Sequence, residues 1–139
     1  MSWNYKYKDL LKKAYKNLPK LSKTTERFNI PKIEGRFEGN RTVVSNINQI
    51  AKQLSREKNH IIRFLVKELA TTGENKGKLY YFIGKFNSKR INEKIEKYTK
   101  DYVLCSQCNK PDTKLIRTKG ITFKQCEACG ARTSVRQIK

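Results

Sequence analysis

All four cysteines of the chain fall within one stretch, CSQCNKPDTKLIRTKGITFKQCEACG, from Cys105 to Gly130. They form two CxxC pairs, Cys105–Cys108 and Cys126–Cys129, with 17 residues between the pairs. A CxxC turn points two sulfurs at one ion. Two such turns complete the tetrahedron that zinc prefers, provided the intervening residues fold back as a hairpin. Their pattern suits one: Lys114 to Arg117 and Ile121 to Lys124 are strand-like and flank the turn Thr118-Lys119-Gly120. Asn109 and Gly130, directly after the pairs, tolerate the left-handed backbone of a tight metal-binding knuckle. ARTSVRQI then supplies a third strand, so the expected unit is a three-stranded C4 ribbon.

Three chemistries compete for these thiols. Two disulfides need an oxidising compartment. The N-terminal MSWNYKYKDLL lacks the apolar core and cleavage site of a signal peptide, and no run approaches the ~18 apolar residues of a membrane span. The expectation is a cytoplasmic chain with no membrane partner, where thiols stay reduced. A thioredoxin-like redox pair needs CxxC at a helix N-terminus, whereas Lys110, Pro111 and Asp112 make a turn after the first pair. One structural zinc ion held by Cys105, Cys108, Cys126 and Cys129 is the preferred reading. A ribbon with so few apolar residues depends on the metal for its fold, and four protein ligands leave no open position for catalysis. No phosphate-binding Gly-rich loop, nucleophile elbow or spaced carboxylate pair accompanies it, so no active site is expected.

Charge bears on the partner. The chain carries 32 Lys+Arg against 12 Asp+Glu, a net +20 over 139 residues. An excess of one sign must be solvated, as in a lysine-rich thermophile protein, or neutralised by a polyanion. Nucleic acid is the favoured polyanion. Lys114, Arg117, Lys119, Lys124, Arg132 and Arg136 are the expected RNA-contact residues of the ribbon.

Upstream, Tyr7, Leu10, Leu11, Ala14, Tyr15 and Leu18 recur at i, i+3, i+4, i+7, i+8 and i+11, a single apolar stripe on a helix that Pro19 ends. KLSKTTERFN reads as linker. The stripe either folds back on the body of the chain or lies in a partner's groove, and periodicity does not choose between them. Trp3 and Tyr5, just before the helix, suit an anchor on such a partner. Ile33 to Phe37 and Arg41 to Val44 predict a hairpin about Glu38-Gly39-Asn40. Ile47, Ile50, Ala51 and Leu54 mark a helix opened by an Asn46/Gln49 capping box, and Ile61, Ile62, Leu65, Val66 and Leu69 mark a wider-faced one. Thr71 to Lys78 reads as a polar turn, GKLYYFIGKF as a strand, and SKRINEKIEKYTKDYV as a helix with Ile91, Ile95 and Tyr98 inward. His60, the one histidine, has no ligating neighbours in sequence and is expected on a helix surface. The predicted class is α+β: an N-terminal amphipathic helix (1–19), a linker (20–29), a small mixed α/β core (30–101) and a C-terminal three-stranded zinc ribbon (102–139). On these elements alone, 46–54 and 58–69 also suit a helix-turn-helix with GKLYYFIGKF as its wing, that is, a DNA-binding transcription factor with a zinc ribbon.

The order of parts nevertheless resembles one family. GNRTVVSNINQIAKQLSR, HIIRFLVKELATTG and the CSQC…CEACG ribbon, behind a short N-terminal helix, are similar to the beta subunit of archaeal translation initiation factor 2. The eukaryotic beta subunit and the N-terminal part of eukaryotic initiation factor 5 share this core. The resemblance implies a non-catalytic subunit of a heterotrimer with an alpha subunit and a GTPase gamma subunit, delivering initiator methionyl-tRNA to the small ribosomal subunit. It also implies that the stripe Tyr7, Leu10, Leu11, Ala14, Tyr15 and Leu18 docks on gamma. The lysine blocks of the eukaryotic subunit are missing, and no arginine precedes Arg27, so partner recruitment by those blocks and GTPase activation by an N-terminal arginine are not implied.

Overall fold

The computed structural model describes residues 6–18 and 28–138. Trp3, Tyr5 and most of the predicted linker lie outside the described residues. The first helix, α1, spans Tyr7–Asn17, with Asp9 in its first turn and Lys16 in its last, each matching the sign of the helix dipole there. Not one of its residues is buried.

The body begins with strands β1 (Gly35–Glu38) and β2 (Arg41–Val44), joined by the two-residue turn at Gly39 and Asn40. Helices α2 (Ile47–Gln53) and α3 (Lys58–Leu69) follow, then strands β3 (Gly73–Lys76) and β4 (Leu79–Ile83). These four strands form one antiparallel sheet in the order β1-β2-β4-β3. The strand β4 is therefore interior, paired on both sides, and is not the free wing of a winged helix. The polar run 71–78 contains β3, which sequence polarity disguised as turn. Gly73 explains why a strand is possible there: a Cβ would meet Tyr80 Cε1 and the Tyr81 carbonyl oxygen, both at 2.6 Å.

Helix α4 (Ser88–Tyr98) starts where Asn87 Oδ1 accepts the Lys89 N–H, and continues as a π-helical turn, Thr99–Val103. Thr99 Oγ1 donates to the Ile95 carbonyl at 2.8 Å, which satisfies a buried hydroxyl inside this widened turn. The turn stacks Tyr98 on Tyr102, with centroids 5.2 Å apart, and brings Phe64 of α3 edge-on to both rings. One face of the sheet, with Val44, Tyr80 and Phe82, closes on Ile47, Ile50, Ile61, Leu65, Ile91 and Ile95 from the helices. The sequence-drawn boundary at 101/102 falls inside the π-turn, and Tyr102 and Val103 are part of this same core.

Two local expectations are corrected. Asn46 does not cap α2. Its Oδ1 accepts the Glu34 N–H and its Nδ2 donates to the Lys32 carbonyl, so it ties the chain before β1 to the start of the helix. His60 is not a free surface residue. It is half-buried, its Nδ1 lies 2.7 Å from Tyr98 Oη, and its ring packs edge-on to Tyr102.

The last three strands, β5 (Thr113–Thr118), β6 (Ile121–Cys126) and β7 (Arg132–Val135), form a separate antiparallel sheet in the order β5-β6-β7. Lys119 and Gly120, at φ 49° and 82°, make the tight turn between β5 and β6. One face of this ribbon rests on the core. Leu115 and Val135 lie against the core cluster, and Ile138 enters it. Arg56, from the α2–α3 connection, donates to the Thr113 carbonyl, Thr113 Oγ1 and the Tyr102 carbonyl at 2.6–2.8 Å. Tyr102 in turn donates its hydroxyl to the Arg136 carbonyl at 2.9 Å.

Candidate metal centre and interaction surfaces

The two CxxC knuckles repeat one backbone pattern. Cys105 N–H donates to the Lys110 carbonyl and Cys126 N–H to the Ala131 carbonyl, while Asn109 and Gly130 donate back to the Cys105 and Cys126 carbonyls. Asn109 and Gly130 both take positive φ, 56° and 75°, so the left-handed expectation at these positions is met. Each knuckle is closed by its own backbone, which leaves the sulfurs free to face one another.

They meet across the knuckles: Cys105 Sγ lies 3.6 Å from Cys129 Sγ, Cys108 Sγ lies 3.5 Å from Cys126 Sγ, and all four fall within 4.8 Å of one another. Disulfides need sulfurs at ~2.05 Å. A tetrahedron with metal–sulfur bonds of ~2.3 Å has edges of about 3.8 Å. The four free thiols thus have the spacing of a metal site rather than of two crosslinks.

Their proton affinities point the same way. The N–H groups of Cys108 and then Gln107 face Cys105 and hold its thiol down at about 6. Those of Cys129 and Ala128 lower Cys126. The Ala131 N–H also favours a thiolate at Cys129, but desolvation and the neighbouring thiols outweigh it and push that group up to about 12. Four thiolates this close repel one another, and a cation at their centre removes the conflict. The site can hold one metal ion. Cys105 and Cys126 are buried and Cys129 is exposed, so one edge of it faces solvent.

The ribbon's predicted RNA-contact residues do not form one patch. Lys114, Arg117, Lys119, Arg132 and Arg136 are exposed. Lys124 is not: it is 5% exposed, and its ammonium donates to the carbonyls of Asp101 at 2.9 Å and Leu104 at 2.6 Å. The register of β6 explains this correction. Lys124 shares a row with Leu115 and Thr133 on the face turned to the core. A lysine in a basic segment suggests a phosphate contact, but the phase of its strand turns this one inward. Arg56 carries no sequence signal for its role, because a short connection between helices gives no sign of a contact with a residue 57 positions away.

On α1, Tyr7, Leu10, Leu11, Tyr15 and Leu18 are all exposed, Tyr7 at 75% and Tyr15 at 70%, and Ala14 is exposed with them. An apolar face of this kind covers nothing within its own described surroundings. Among the described residues no helix is long and apolar enough to cross a membrane.

Comparison with known proteins places this architecture. The family model for a domain found in initiation factors 2B and 5 matches residues 19–132. A protein of Methanococcus vannielii named translation initiation factor 2 subunit beta is 41% identical over 134 residues, 96% of this chain and 97% of its own length. One of the same name from Methanopyrus kandleri is 40% identical over 97% of this chain and 98% of its own length. A third, from Methanoregula boonei, is 38% identical but longer, with the match covering 65% of it. Full-length similarity at this level, together with the shared core and ribbon, makes the chain a member of the translation initiation factor 2 beta-subunit family, a family of non-catalytic factor subunits.

Proposed function

We propose that this chain is the beta subunit of a heterotrimeric initiation factor, a cytoplasmic adaptor that works beside an alpha subunit and a GTPase gamma subunit. The trimer would carry initiator methionyl-tRNA to the small ribosomal subunit. In this reading α1 is the tether: Tyr7, Leu10, Leu11, Ala14, Tyr15 and Leu18 seat on gamma, and residues 20–29 link the helix to the core. The observation that carries the reading is that α1 keeps a full apolar stripe while burying none of its residues. An 11-residue helix covers less than a standard interface of about 1,600 Å². Core and ribbon are therefore free to move relative to gamma while the helix holds.

The metal of the ribbon is zinc in this proposal. An all-sulfur, four-ligand site with no water position is the donor set zinc takes in structural centres. When bound, it neutralises the four thiolates and locks the two knuckles together. It supplies no reaction chemistry.

The test is co-elution of the purified chain with its gamma subunit on size exclusion. The full chain should co-elute, and a chain lacking residues 1–19 should elute alone while keeping its zinc and its fold. Co-elution of the shortened chain would overturn the assignment of α1.

A further inference from the structure

The face of the ribbon turned away from the core has an organised centre built on Phe123 and Arg132. Strand alternation puts Lys114, Ile116, Phe123, Gln125, Arg132 and Ser134 on this face. The Arg132 guanidinium lies over the Phe123 ring, 4.2 Å from its centroid. Ile116 and Ile121 are exposed beside it, at 38% and 52%. The stack is thus an aromatic ring and a planar cation standing on the open side of a sheet, bordered by apolar side chains.

We propose that this face binds single-stranded RNA, with an unpaired base stacking on the Arg132–Phe123 platform and phosphates running past the cations at its margin. Three observations choose this occupant. Residues 105–138 carry seven Lys and Arg against two Asp and Glu; Lys124 and Arg117 alternate to the other side, while Lys114 and Arg132 stand on this face and Lys119 at its tip. Among the described residues, the only acid paired on this face is Glu127, whose contact with Lys114 joins side chains 54% and 67% exposed, so a phosphate can displace it. Finally, bases are read on sheets by stacking on aromatic rings and guanidinium planes, and a duplex, whose bases stack on one another, has no free base to offer. The platform needs the base unpaired. The inference takes up the expectation that the ribbon contacts RNA, and it does not depend on α1 or on gamma.

Fluorescence anisotropy of the zinc-loaded full chain, with a labelled single strand of about 12 nucleotides and the matching RNA duplex, tests it. Arg132→Lys keeps the charge and removes the guanidinium plane. Phe123→Leu keeps apolar bulk and removes the ring, and retained zinc stoichiometry shows that each variant is folded. The single strand should bind more tightly than the duplex. Each variant should lose about fivefold or more of single-strand affinity, with little change for the duplex. Lys119→Ala, a charge at the tip, should weaken both RNAs alike and lower the salt slope by about one. Unchanged single-strand affinity in both variants, or equal binding of strand and duplex, overturns the proposal and leaves the face to a protein partner. A failed gamma co-elution would leave this result standing, so the two claims fail separately.

Discussion

Arg56 and Lys124 each direct a positive charge at backbone carbonyls, and between them they join the ribbon to the core. Removing the Lys124 ammonium leaves the Asp101 and Leu104 carbonyls without it, so Lys124→Met should cost about 2 kcal/mol or more, read by urea denaturation of the zinc-loaded chain. An unchanged midpoint would mean that water replaces the ammonium. His60 makes a second residue-scale prediction. Burial, and next the charge of Arg56, lower its proton affinity below the ordinary 6.5. The unfolded chain therefore takes up a proton as pH falls through 6.5, while the folded chain resists it, and stability falls with pH in that window. Because thiol protonation also weakens metal binding at low pH, the quantity to measure is the difference in unfolding free energy between the native chain and His60→Gln. That advantage of the native chain should shrink from about pH 8 to about pH 5, and a constant difference would contradict the account.

At the scale of elements, most of the fold is legible in the sequence where periodicity is clean. The stripe of α1, the inward Ile91, Ile95 and Tyr98 of α4, and the hairpin of the ribbon follow from spacing alone, and so does the convergence of the four cysteines. What stays hidden is hidden for identifiable reasons. Strand β3 is short and polar because it is an edge strand with its side chains exposed, so it carries no apolar alternation. The π-turn leaves no mark in composition. Asn46 has the right identity for a cap but gives its amide to a different segment, which depends on tertiary position. If the four thiols hold a metal, as proposed, the ribbon is the element whose stability rests on something outside the sequence. Chelation of the metal should erase ordered NMR signals from 105–138 and preserve those of β1–β4 and α2–α4, whose apolar cluster takes only Ile138, with Leu115 and Val135 at its edge, from that segment. Loss of the core signals at the same chelator concentration would show that ribbon and core fold as a single cooperative unit.

On the scale of the whole molecule, the chain divides its work by location. One end carries an amphipathic helix that buries none of its residues, the middle a closed α/β core, and the other end a sheet joined to two CxxC knuckles, with its outer face open. In the function proposed, the net charge of +20 suits an RNA partner and the uncharged stripe of α1 a protein partner. In that proposal, this separation would let one surface hold the subunit in its assembly while the others change contacts.

The measurement closest to the centre of this account is the affinity for gamma, by isothermal titration, of the native chain, of Leu11→Asp and of Lys12→Ala. Leu11 sits in the stripe and Lys12 outside it. The account predicts that Leu11→Asp weakens binding by about a hundredfold, as burial of a charge in a small apolar interface does, and that Lys12→Ala stays within a few fold of native. Native affinity in Leu11→Asp, with zinc and fold intact, would contradict it.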